Sequence, residues 1–98
     1  MHREFEFTPT PEALVPKVYD SAEYDKMSMN QLALDNDAQL IYMSLIQDKY
    51  YLDPDASLKG EAKETGLSPR RINYVVSTLC GCSYEQLLEY CRDAYNQE

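Results

Sequence analysis

The sequence predicts a small all-α domain of about four helices, preceded by an N-terminal segment that is extended or disordered. Its 98 residues suffice for one compact domain. After residue 27, apolar residues recur every three or four positions, which is the spacing of one helix face. Serines suited to cap helices precede these stretches, and glycines suited to end helices follow two of them. We therefore expect two parts, the N-terminal segment over 1–26 and a helical domain over 27–98.

Three prolines favour an extended or flexible backbone in the N-terminal segment. Pro9, Pro11 and Pro16 each disfavour a helical conformation in the residue before them. Residues 3–7 alternate between polar and apolar side chains, which is the pattern of a short strand without an evident partner. The segment is therefore expected to be a packing arm or the tail end of a longer parent protein.

The first long helix is predicted to begin after Ser28. Ser28 and Gln31 have the spacing of a capping box, in which each side chain bonds the backbone amide of the other residue. An apolar stripe then extends to about Tyr50 and consists of Leu34, Ala38, Ile41 and Leu45. Because residues 35–37 are polar, one bent helix and two separate pieces are both allowed.

Two shorter helices are predicted next. Ser57 can cap a helix over 58–65, and Gly66 can end it in a left-handed conformation. Ser68 and Pro69 then open a second helix, because serine is a good cap and proline suits the first helical position. The apolar face of this second helix consists of Ile72, Val75, Val76 and Leu79.

Gly81 is expected to end that helix, and the last helix follows at once. Ser83 and Gln86 form a second capping box. The apolar face of the last helix consists of Tyr84, Leu87, Leu88, Cys91 and Tyr95. Of these residues, Tyr84 and Tyr95 are expected to fill the core with their large rings.

The two short helices form a helix-turn-helix pattern, because a tight glycine-containing turn joins them. In this motif the second helix, here about 69–80, can enter a major groove with its outer face. The candidate DNA-binding residues on that face are Arg70, Arg71, Asn73, Tyr74, Ser77 and Thr78. Arginine and asparagine read guanine and adenine edges, and hydroxyl groups bond bases or phosphates. A plain amphipathic helix would show the same stripe, so the pattern alone leaves that alternative open.

A family resemblance strengthens the DNA-binding interpretation. It is carried by residues 49–58, 62, 66–70, 81–84 and 92–94. Over about 38–95 the chain resembles the DNA-binding domain of AraC-type (AraC/XylS) bacterial transcription regulators. That domain has two helix-turn-helix units joined by a long helix, and this chain matches the first unit and the start of the connecting helix. The resemblance implies base-reading roles for Arg70, Asn73 and Tyr74, with Arg71 and Ser77 near the phosphates.

The chain also departs from that family. Glu61 stands where the family usually has an apolar residue that packs the two helices together. Since a buried glutamate is costly unless it is paired, we expect this helix to be re-registered or its face to be exposed. Tyr74 and Ser77 replace residues that are commonly basic, and Glu89 and Asp93 replace an asparagine and an apolar residue. The second helix-turn-helix unit is missing.

Charge limits how tightly the chain is expected to hold DNA. The 17 acidic and 9 basic residues give a net charge of −8. Residues 59–71 contain four basic and two acidic residues, a balance of +2, so the remaining five basic and fifteen acidic residues give −10. The predicted reading unit is thus the net-positive stretch of an acidic chain. Because affinity grows with the number of neutralised phosphates, we expect weak, salt-sensitive binding.

Enzyme, metal and cofactor functions are not expected. The lone histidine, His2, lies near the terminus, and the sequence contains none of the common catalytic or phosphate-binding motifs. Cys80, Cys82 and Cys91 lack the paired spacing of a structural zinc site. Three cysteines favour a reducing, cytoplasmic setting over a disulfide scaffold. No apolar run reaches the length of about 18 residues that a membrane helix needs, and no secretory signal is expected.

Two hypotheses follow from the sequence. The first is a bacterial cytoplasmic module of a transcription regulator that binds double-stranded DNA, weakly when alone, through the helix over about 69–80. A homodimer or the remainder of a larger regulator would then complete the reader. The alternative is a protein-interaction module that is derived from a helix-turn-helix and no longer binds DNA.

Overall fold

Helices form most of the described chain. The structure, a computed structural model, describes residues 11–15 and 19–95. Its five α-helices are α1 (Ser21–Lys26), α2 (Met29–Tyr42), α3 (Leu58–Thr65), α4 (Pro69–Cys80) and α5 (Tyr84–Tyr95). No strand occurs among these residues, so the predicted all-α class is confirmed. Helices α2 to α5 correspond to the four predicted helices, and α1 is additional.

The described part of the N-terminal segment is more helical than the sequence analysis predicts. Pro11–Leu14 forms a 3-10 helix, because proline at a first helical position fixes a suitable φ and lacks only an amide that would be unbonded there. Leu14 belongs to the hydrophobic core, so the 3-10 helix Pro11–Leu14 packs against the helical domain. The alternating stretch 3–7 lies outside the described residues.

Helix α1 begins with a capping box that the sequence analysis missed. Asp20 Oδ1 accepts a hydrogen bond from Glu23 N at 2.8 Å, and Asp20 N donates to Glu23 Oε2 at 3.4 Å. The Asp-x-x-Glu spacing was visible in the sequence. The nearby prolines do not oppose this cap, because each disfavours a helical conformation only in the residue before it.

Helix α2 is continuous across its polar residues. Ser28 Oγ accepts from Gln31 N at 3.1 Å, but the Gln31 side chain donates to Asp35 Oδ1 at 3.0 Å, so only half of the predicted capping box forms. The stripe Leu34, Ala38, Ile41 and Leu45 is buried as predicted. The helix passes into a π-helical turn, Met43–Gln47, and ends before Lys49, whose φ of 58° is left-handed. A 3-10 helix, Tyr50–Leu52, then leads towards α3.

The predicted caps of α3 and α4 are confirmed. Ser57 Oγ accepts from Gly60 N at 3.0 Å, and Ser68 Oγ accepts from Arg71 N at 3.1 Å. Gly66 ends α3 with a φ of 78°, a conformation that is free of strain only for glycine. The turn between α3 and α4 is therefore as short as the sequence predicts.

Helix α5 carries the second predicted capping box in full. Ser83 N donates to Gln86 Oε1 at 2.9 Å, and Gln86 N donates to Ser83 Oγ at 3.1 Å. Tyr84 is fully buried, as predicted. The prediction that Tyr95 fills the core is wrong, because Tyr95 lies on the last described turn and is 42% exposed. Its ring packs 5.8 Å from that of Tyr51, centroid to centroid.

One hydrophobic core joins all of these elements except α1. It takes residues from the 3-10 helices, α2, the π-helical turn, α4 and α5, while α3 packs against it with Leu58 and Ala62. Helix α4 lies at the centre of this core, since Ile72, Val75 and Val76 are each fully buried. The outer face of α4 is consequently held in a fixed orientation.

Candidate nucleic-acid interface

A short, braced turn sets the angle between α3 and α4. Gly66, Leu67 and Ser68 span it. The Thr65 hydroxyl donates to the Glu61 carbonyl at 2.8 Å and accepts from Leu67 N at 3.2 Å, so the last turn of α3 is bonded to the connection. Packing of α3 against α4 supports the same geometry. A three-residue turn that contains a glycine is the kind of connection that a helix-turn-helix uses.

The six predicted DNA-binding residues lie on one side of α4 but differ in exposure. Arg70, Tyr74, Ser77 and Thr78 are exposed, whereas Arg71 and Asn73 are half-buried. Tyr74 is the largest exposed side chain among them, with 54% of its surface accessible. The Ser77 hydroxyl donates to the Tyr74 carbonyl at 3.1 Å, a bond within the helix. The exposed members form a polar strip along α4.

The Arg71 side chain forms an ion pair with α2. Its Nε lies 2.6 Å from Asp37 Oδ2, and its guanidinium lies 5.3 Å from the centroid of the Tyr74 ring. The positive charge is therefore compensated within the fold, and the Arg71 side chain supports the ring of Tyr74. Sequence reasoning missed this ion pair because its partners are 34 positions apart.

The Asn73 side chain forms a hydrogen bond with the start of α5. Its Oδ1 accepts a hydrogen bond from the backbone amide of Tyr84 at 2.9 Å. That amide belongs to the first turn of α5, where backbone N–H groups have no partner within the helix. The Asn73 side chain thus fixes α4 relative to α5.

The polar strip on α4 faces an open cleft. Arg71, Tyr74 and Thr78 line one side of it. The other side is the beginning of α2, with Ser28, Asn30, Gln31, Ala33 and Leu34. The cleft has a volume of about 480 Å³. A ligand that touches α4 near Tyr74 would therefore also meet the first turn of α2, whose backbone amides carry partial positive charge. The sequence contains no signal for this juxtaposition.

Exposed basic side chains come from both α3 and α4. Lys59 and Lys63 are exposed on α3, one helical turn apart, and Arg70 is exposed at the start of α4. Glu64 is the exposed acidic residue on α3. The predicted positive balance of this stretch is thus provided by three exposed cations, since Arg71 is paired with Asp37.

The expectation for Glu61 is wrong. Helix α3 keeps the predicted register, and Glu61 is fully buried within it. The Ser44 hydroxyl donates a hydrogen bond to Glu61 Oε2, so the carboxyl has a polar partner from the π-helical turn. Burial raises the pKa of Glu61 from 4.5 to about 7. The sequence revealed the cost of burying Glu61 but not its partner, which is 17 positions away.

The three cysteines are buried free thiols. Burial raises the pKa of Cys80 and of Cys91 to about 12, so both remain protonated at neutral pH. Within 11–15 and 19–95, no group of histidine, cysteine, aspartate or glutamate side chains is arranged to hold a metal ion. None of the helices described in these ranges is long and apolar enough to cross a membrane.

Comparison with known proteins gives no relative for the chain. No family model matches it, and no curated protein or solved structure shows significant similarity to it. The resemblance to AraC-type regulators therefore stays a prediction that rests on the residues quoted for it.

Proposed function

We propose that the protein is a DNA-binding module of an AraC-type transcription regulator and that α4 enters the major groove. The observation that carries this proposal is the exposed polar strip of α4 on a tightly turned α3–α4 pair. Arg70 lies exposed at the second position of α4, and in a helix-turn-helix the first residues of the second helix contact base edges. The opposite face of α4 is fully buried, so the outer face is free to meet a partner.

The contacts of the six residues suggest a division of roles. Arg70 is the base reader, because an exposed guanidinium can bond guanine O6 and N7 together. Tyr74 lies one turn further along α4 and can place its ring against a thymine methyl group. Arg71 and Asn73 act as positioning residues, since their side chains bond Asp37 and the Tyr84 amide. Thr78 is left to donate to a phosphate, whereas Ser77 can do so only by giving up its hydrogen bond to the Tyr74 carbonyl.

Three exposed cations set the expected strength of binding. Lys59, Lys63 and Arg70 are exposed on α3 and α4, and each neutralised phosphate contributes about 0.9 to the magnitude of the slope of log affinity against log salt. If all three engage the duplex, that slope is about −3, which is much shallower than the slopes of regulators that bind DNA tightly. The net charge of −8 opposes binding further. Weak binding that disappears at physiological salt is therefore expected of the single chain.

The test is fluorescence anisotropy of a labelled random-sequence duplex at low salt. Arg70→Gln should weaken binding about tenfold because the guanine contact is lost, whereas Lys63→Gln should reduce the salt slope by about 1. Lys49→Gln is the matched control, because Lys49 is an exposed cation outside α3 and α4. An equal loss of duplex affinity in Arg70→Gln and Lys49→Gln would show that binding depends only on non-specific electrostatic attraction. Absence of any duplex binding by the unmodified chain would contradict the proposal.

A second candidate is a protein-interaction module on the same scaffold. It is favoured by Tyr74, an aromatic side chain that is 54% exposed beside a cleft while the neighbouring Arg71 is neutralised by Asp37. Tyrosine is enriched where proteins meet one another. This candidate predicts that Tyr74→Ala abolishes binding of a protein partner, whereas Arg70→Gln leaves that binding unchanged.

A further inference from the structure

A buried polar cluster lies behind the helix-turn-helix and joins three elements. Glu61 comes from the middle of α3, Ser44 from the π-helical turn and Tyr84 from the start of α5. The side chains of Glu61 and Tyr84 are fully buried, and that of Ser44 is nearly so. Since α3 also packs against α4, the cluster lies where the orientation of the two motif helices is set.

The cluster surrounds the Glu61 carboxyl with neutral hydroxyl groups but offers it no cation. Ser44 donates to Glu61 Oε2, but Glu61 Oε1 and the Tyr84 hydroxyl have no hydrogen-bond partner. The groups that influence the Glu61 carboxyl are Ser44, Tyr84 and Glu64, and none of the three carries a positive charge. A buried carboxylate without a cation is strongly unfavourable.

The other elements packed against α3 add no compensating charge to this cluster. Helix α4 turns its buried apolar residues inward, and its Arg71 is bonded to Asp37 of α2. Asp35 of α2 accepts hydrogen bonds from Tyr19 and Gln31. Tyr50, from the 3-10 helix before α3, influences the Tyr84 hydroxyl.

Protonation would remove the buried, uncompensated charge. A neutral carboxyl still accepts from Ser44, and its own O–H can donate to the Tyr84 hydroxyl oxygen. We propose that Glu61 makes the helix-turn-helix unit pH-sensitive, tightly packed when its carboxyl is protonated and weakened when that carboxyl is ionised. This inference does not depend on DNA binding.

The shift in the pKa of Glu61 supports the same conclusion and gives its direction. Burial, the largest cause, raises this pKa from 4.5 to about 7, while Ser44 and the nearby Tyr84 hydroxyl oppose the shift. Between these two values the folded chain binds more protons than the unfolded chain. The stabilisation is therefore complete below about pH 4.5 and is lost as the pH rises through about 7. From well below pH 4.5 to well above pH 7, the unfolding constant should rise roughly 300-fold in total.

The first experiment is urea unfolding of the full chain, followed by circular dichroism, from about pH 5 to about pH 8, the range in which histidine also titrates. The unmodified protein should lose stability as the pH rises. Glu61→Gln should remove most of this dependence, because glutamine keeps the shape and cannot ionise. His2→Gln is the matched control, since His2 is the lone histidine, and it should leave the dependence unchanged. An equal pH dependence in Glu61→Gln and the unmodified protein would overturn the proposal.

The second experiment follows the Glu61 side-chain carboxyl directly by carbon NMR in the unmodified protein. Its titration midpoint should lie near 7, and Ser44→Ala should move the midpoint upward because it removes the donor that favours the ionised form. This measurement decides the matter even if Glu61→Gln fails to fold. A midpoint near the ordinary glutamate value of about 4.3 would overturn the proposal.

Discussion

The Asn73 side chain caps α5: its Oδ1 accepts the backbone amide of Tyr84 at 2.9 Å. Tyr84 in turn places its hydroxyl beside the buried carboxyl of Glu61 in α3. The Asn73 side chain thus connects the outer face of α4 to the start of α5. Asn73, to which the family resemblance assigns a base-reading role, therefore also stabilises the packing of α4 against α5.

Asn73→Ala should therefore lower stability before it affects recognition. The variant leaves the Tyr84 amide without its partner, and loss of such a cap costs about 1 kcal/mol of unfolding free energy. Urea unfolding measures the change. Thr78→Ala on the exposed strip is the control and should change stability by less than about 0.5 kcal/mol. A stable Asn73→Ala variant with reduced duplex affinity would instead assign the side chain to DNA.

Asp37→Asn should lower the stability of the fold and raise its affinity for DNA. The Arg71–Asp37 pair is partly exposed, at 33% and 16% of the two side chains, so its loss should cost about 0.5–1 kcal/mol. The change also frees the Arg71 guanidinium and removes one negative charge close to α4. If α4 meets DNA, duplex affinity at low salt should rise while stability falls. Asp55→Asn, in the exposed turn before α3, is the control for net charge alone.

Most of the fold could be predicted because its signals are local. The apolar stripes of α2 and α4, the serine caps and the two terminating glycines each depend on residues within one or two turns. The candidate site depends on pairs that are distant in sequence. The separations are 34 positions for Arg71 and Asp37, 17 for Ser44 and Glu61, and 11 for Asn73 and Tyr84. No periodicity encodes such pairs, so two of the six predicted contact residues proved to be engaged within the fold.

Gly66→Ala should weaken the turn between α3 and α4. Gly66 has a φ of 78°, and a Cβ added there would meet nothing within 4 Å. The cost is therefore purely conformational, about 1 kcal/mol of unfolding free energy. Gly66→Asn should recover part of the loss, because asparagine tolerates the left-handed region. Thermal unfolding of the two variants gives the comparison, and equal melting temperatures for both would contradict this explanation.

The three cysteines should be unreactive in the native protein. Cys80, Cys82 and Cys91 are at most 4% exposed, and burial raises the pKa of each thiol. Because the thiolate is the nucleophile, a disulfide reagent at neutral pH should modify them only through transient opening of the core. In urea all three should react within the mixing time. A rapid reaction of even one thiol in the native protein would show that α4 and α5 separate more readily than their packing implies.

The rate of this thiol modification should also depend on Glu61. Since ionisation of Glu61 is expected to weaken the same core, Glu61→Gln should slow modification above pH 7 after correction for the thiolate fraction.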